Sequence, residues 1–104
     1  MIRHFRVTPR HCWAALAAVS ELPAVMRQDR SGSTLLETAR LCRTIEAEVG
    51  RDAGIGEKLG SLLLQARSYD LAEGQSDETA RRARLIFLAD CWSLRAIIDR
   101  LSVE

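Results

Sequence analysis

The chain has 104 residues, 47% of them apolar and only 5% aromatic, and its 15 basic and 14 acidic side chains leave a net charge of +1. That length makes one domain, residues 1–104, able to bury roughly 65% of its unfolded surface without metals or disulfides. The charge balance excludes a general attraction to nucleic acid or anionic lipid, and no stretch approaches the roughly 20 apolar residues that span a bilayer.

Residues 1–8 read as a short extended arm, with Ile2, Phe5 and Val7 set among Arg3, His4 and Arg6. No second strand follows to pair with it, so the arm needs a partner chain or a groove, and Phe5 becomes a candidate contact. The basic start followed by "CWAALAAV" has the outline of a signal peptide. Its apolar run is short and alanine-rich, with no clear small-x-small cleavage site after it, so the segment is expected to remain as helix.

Thr8 and Pro9 form an N-cap and a first helical residue, which opens a helix running to about Gln28. Pro23 should kink or break it, because proline removes one backbone bond and crowds the preceding turn. "RQDRSGS" is a polar connection. Thr34 and Glu37 make a capping box, with Ser33 a competing cap, and a second helix follows to Val49. After "GRDAGIG" the third helix is expected from about Gly56 to Glu73, ending at Gly74. Ser76 caps the fourth, Asp77 and Glu78 suit its first turn, and it continues to about Leu101. Four helices with short loops predict an all-α, four-helix antiparallel bundle.

Each helix carries an apolar stripe at spacings of three and four. The stripes are Cys12, Leu16, Val19, Pro23 and Met26; Leu35, Cys42, Ile45 and Val49; Ile55, Leu59, Leu62, Ala66 and Tyr69; and Phe87, Cys91, Leu94, Ile98 and Leu101. All three cysteines lie on stripes, where free cysteine packs as a small hydrophobe. Both tryptophans directly follow a cysteine, Cys12-Trp13 and Cys91-Trp92. A helical residue turns about 100° from its neighbour, so Trp92 lies off the seam that Cys91 marks. It joins Leu85 and Leu88 there, while Ile86 and Ile97 widen the first face. The fourth helix is therefore apolar on two sides. The third repeats this with Leu64 and Leu71, beside Gly60. One core requires only one face per helix, so the surplus predicts a partner surface, most simply a twofold homodimer.

Chemical sites are weakly supported. His4, His11, Cys12, Cys42 and Cys91 are metal-ligand types, but no Cys-x-x-Cys, His-Glu-x-x-His or Glu-x-x-His spacing joins them. A cysteine in an apolar seam has its thiolate disfavoured, and neither histidine is placed to activate it. Asp90 sits at the seam's edge, where an arginine partner is expected. The loop "GRDAGIGEKLG" lacks the Gly-Lys-Ser/Thr of a phosphate cradle, and the helix after it offers few base-reading side chains. The clusters Arg3/Arg6/Arg10 and Arg81/Arg82/Arg84 read as solvated faces. "CWAALAAVSEL" and "CWSLRAIIDRL" look alike because both are amphipathic helices.

The cysteine spacings of 30 and 49 match no secreted framework, which favours reduced thiols in a cytoplasm. By elimination the sequence describes a non-enzymatic regulatory protein with no cofactor. It would form a homodimer and bind a larger protein, for example by sequestering a transcription regulator. The interface residues are Trp92, Leu85, Leu88, Leu64, Leu71 and Phe5. The competing classes are a helical domain binding metal or a small ligand through Cys and His, and a nucleic-acid-binding regulator.

Overall fold

A computed structural model describes residues 9–26, 34–50, 52–72 and 77–102. Four helices account for nearly all of them: α1 (Pro9–Val25), α2 (Thr34–Val49), α3 (Ala53–Ala72) and α4 (Asp77–Ser102). The Ile2–Val7 arm and Phe5, and the expected caps Ser33, Gly74 and Ser76, lie outside the described residues. Helix α1 passes through Pro23 and ends two residues later, short of the expected Gln28.

The helix starts differ from expectation for identifiable reasons. Helix α3 begins at Ala53 rather than Gly56, because Asp52 caps it. The Asp52 Oδ1 accepts from the Gly54 and Ile55 amides at 2.8 and 3.2 Å, satisfying two of the orphan donors at a helix start. At the head of α2 the Thr34–Glu37 box gives way to a longer-range cap. The Leu35 amide donates to Asp70 Oδ2 on α3 at 3.0 Å, while Glu37 pairs with Arg40 one turn on. Gly50 follows α2, and its amide donates to the Glu46 carbonyl at 2.8 Å. A Cβ there would collide with that same carbonyl, so the turn requires glycine.

The helices pack in a ring: α1 lies against α2 and α4, and α3 against the same two. Polar contacts give the directions. His11 near the start of α1 reaches Glu48 near the end of α2 at 4.0 Å, whereas Glu21 reaches back to Arg40 at 3.8 Å. The Leu35–Asp70 bond joins the start of α2 to the last turns of α3. Gly54 approaches Ile97 while Ser61 bonds Asp90, so α3 and α4 also run in opposite senses. The Tyr69 hydroxyl donates to the Met26 carbonyl at 3.2 Å, tying the end of α3 to the end of α1.

One buried cluster fills the ring. The stripes supply Cys12, Val19 and Met26, then Cys42, Ile45 and Val49, then Ile55, Leu59, Leu62 and Ala66, then Phe87, Cys91, Leu94 and Ile98. Leu16, Leu35, Tyr69 and Leu101 are only partly buried at its margins. Ala15, Ala18, Leu22, Val25 and Leu41, which lie off the stripes marked by spacing, are also buried in it. Phe87 is the largest fully buried side chain among the described residues. Gly56 and Gly60 on α3 are exposed, and a Cβ at either would meet nothing within 4 Å.

Asp52→Ala is expected to lower stability by about 1 kcal/mol, the usual worth of an N-cap side chain. Urea unfolding followed by circular dichroism measures it. An unchanged midpoint would remove Asp52 from the account of where α3 starts.

Candidate functional site

The seam positions of α1 and α4 meet inside the ring, and where the two helices part on its outside a groove opens, lined by seam and flanking positions together. Leu16, Val19, Ser20 and Pro23 form one wall; Leu88, Cys91, Trp92 and Arg95 form the other, around a volume of about 480 Å³. Its surface is predominantly apolar, with Ser20 and Arg95 the polar side chains. The Ser20 hydroxyl is turned back on its own helix, donating to the Ala17 carbonyl at 2.6 Å. Proline carries no N–H, so Pro23 cannot supply the donor that the Val19 carbonyl would receive in a regular helix.

The predicted interface residues divide around this groove. Trp92 is 70% exposed and Leu85 61% exposed, while Leu88 is half-buried as part of the wall. Trp13, which was not among the predicted contacts, is 69% exposed on α1. It bears the same one-residue offset from a buried cysteine as Trp92, and that repeated offset was the available signal. The exposed alanines Ala17 and Ala24 on α1 and Ala89 and Ala96 on α4 extend the low-polarity surface. Leu64 and Leu71 are likewise exposed, but they sit together on α3 as a separate stripe. Leu36 on α2 is exposed too and was missed, since a lone leucine beside a seam leaves no periodic signature. Ile86 is exposed rather than part of the buried face, and Ile97 is half-buried.

The thiols are buried and free. Burial pushes Cys91 up to about 12, with Asp90 and Cys42 adding to the effect, and pushes Cys42 up to about 11, with Glu46 assisting. Cys12 is raised by burial and then by Asp99. These are inert, protonated thiols. No group of three or more His, Cys, Asp or Glu side chains able to hold a metal occurs among the described residues.

Asp90 does not take the arginine expected for it. It accepts from the Ser61 hydroxyl and lies 3.8 Å from the Lys58 ammonium, both on α3. With Asp90 only 6% exposed, these groups offset the cost of burying its charge and fix the α3–α4 register. A second groove, about 370 Å³, lies between α2 and α3 beside Gly56, Gly60 and Leu63, with Arg43 and Glu46 on its edge.

The chain matches no family model, no curated protein and no solved structure. Among the described residues no helix is long and apolar enough to cross a membrane.

The thiols give a pH-dependent expectation. Their folded pKa values lie above the unfolded value, so the stability they contribute is complete below about pH 8.5. It is lost as pH rises toward 11 and 12, the folded values of Cys42 and Cys91. Urea midpoints should therefore fall between pH 9 and pH 11, and thiol reagents at pH 8 should label these positions only after denaturation. Rapid labelling of the native protein would contradict the buried assignment.

Trp92→Glu should cost the isolated chain less than about 0.5 kcal/mol, as expected for an exposed position. A cooperative loss of helical signal would place the ring inside the core instead.

Proposed function

We propose that the protein is a small, non-enzymatic regulatory module that binds another polypeptide through the α1–α4 face. The observation that carries this reading is an apolar groove with the exposed Trp92 in its wall, on two helices that also expose Trp13 and Leu85. Burying three such side chains contributes about 5–9 kcal/mol gross. Association costs about 4–15 kcal/mol in lost freedom, so these three side chains leave little surplus and a tight contact draws on the groove walls as well. Large aromatic side chains beside a groove are typical anchors of protein interfaces.

The partner is either a second copy of the chain or a larger protein that this module sequesters or inhibits, such as a transcription regulator. The α3 stripe of Leu64 and Leu71 provides a further contact surface for such a factor. The buried free thiols suit a reducing compartment, and we place the protein in the cytoplasm. Metal or ligand binding through cysteine is disfavoured because the required thiolates are suppressed at all three positions. Nucleic-acid binding would rest on Arg81, Arg82 and Arg84, a short run on one helix of a nearly neutral chain.

Site-specific photo-cross-linking in cells tests the proposal. A cross-linker replacing Leu85 should form a discrete protein adduct, whereas one replacing the exposed Thr44 on α2 should not. Equal labelling from both positions, or none from either, defeats it.

A further inference from the structure

The outward stripe of α4 carries a pattern that constrains what can lie against it. Arg81, Leu85, Leu88, Trp92, Arg95 and Asp99 follow one another at spacings of four, three, four, three and four. That is the spacing of a helix–helix seam. It is separate from the buried seam of Phe87, Cys91, Leu94 and Ile98. Five of the six residues are exposed, and Leu88 is half-buried in the groove wall. At the far end, Asp99 raises the Cys12 thiol, which sets its charge near α1.

The spacing is symmetric about position 90, and so is its chemistry. Turned end for end, the stripe sets Leu88 against Trp92, Leu85 against Arg95, and Arg81 against Asp99. The first pairing is apolar. In the second, the arginine stem can cover leucine while its guanidinium stays in water. The third is an ion pair, formed twice across a twofold axis. A parallel, in-register pairing would oppose Arg81 to Arg81, Arg95 to Arg95 and Asp99 to Asp99, with repulsion at three levels. The stripe is thus complementary to its own reversed copy and not to its parallel one.

We infer that the α1–α4 face is occupied by a second copy of this chain, with the two α4 helices antiparallel and the twofold axis near position 90. This rests on the reading of that face as an interface and names its occupant. The contact is isologous: the same patch serves both protomers, and Arg81 of each meets Asp99 of the other. Trp92 of each lies over Leu88 of the other, at the mouth of the groove. The axis leaves the α3 stripe of Leu64 and Leu71 outside the contact, displayed twice.

Charge reversal tests the register. Sedimentation velocity should show the wild-type chain as a dimer at micromolar concentration. Arg81→Glu and Asp99→Arg should each weaken dimerisation by about tenfold or more, because each turns two attractions into two repulsions. The double variant R81E/D99R should restore the dimer to within about threefold of wild type, since the pair is re-formed with exchanged signs. Circular dichroism checks that each variant is folded. If Asp99→Arg is not, Asp99→Asn should weaken dimerisation by about threefold or more, through loss of the attraction alone. A wild-type monomer at about 100 μM, single reversals without effect, or a double variant that stays monomeric would each overturn the antiparallel pairing. A wild-type monomer combined with a hetero-adduct from position 85 would discard self-pairing and keep the interface reading. A monomer with no adduct would discard both.

Discussion

Phe87 is the one fully buried aromatic ring among the described residues, and what surrounds it is small. Leucine, isoleucine, valine, alanine and cysteine make up nearly all the rest of the cluster. An interior of such side chains lets four helices approach closely, and close-packed interiors hold little spare volume. Each helix therefore turns one face inward, its seam and the side chains immediately beside it. This limit on interior width decides the placement of every other large side chain. A tryptophan one residue past a seam cysteine points away from the ring, and a core this narrow gives it no second way in. The two tryptophans are outside for the same reason that the two cysteines before them are inside.

Much of this was legible in the residue order. Spacings of three and four identified the seams, and most of the residues so marked are buried. The misses share a cause. Ala15 and Ala18 are buried although periodicity alone gives alanine little weight, and Leu22 and Leu41 lie inside because each helix meets two neighbours. The Leu35–Asp70 cap was invisible because its partners are 35 residues apart, and a local search finds Thr34 and Glu37 first. Asp52 was overlooked within a glycine-rich run that reads as a loop, although it carries the capping oxygen that starts α3. Lys58, the chain's single lysine, could not have been named as the counter-charge of Asp90 without the α3–α4 register.

The apolar face on α4 was also visible in sequence, but its geometry was not. Trp92 and Leu85 read as a flank; that this flank and α1 together bound a groove depends on α1 closing the ring against α4. Pro23 matters here in an unanticipated way. It was read as a breaker, yet its place in the fold is the groove wall, where the missing N–H leaves a backbone carbonyl without its usual helical donor. The buried carboxylate of Asp90 is used for register, and the thiols are kept protonated by their surroundings. Charge is concentrated on the outside, where it can select among neighbours without taxing the interior.

Gly54, Gly56 and Gly60 all fall in the first eight residues of α3. Each costs about 1 kcal/mol of helix stability relative to alanine, a total that one capping aspartate does not offset. Gly56 and Gly60 have open space where a methyl group would sit, so crowding within the chain is no reason for them. This half of α3 has no helical preference of its own and takes its form from the surfaces of α2 and α4. Its helical form is tertiary in origin, with α2 and α4 as the template that holds it. The Asp90 site, which takes both Ser61 and Lys58 from this part of the chain, is the latch that keeps the templated half in place.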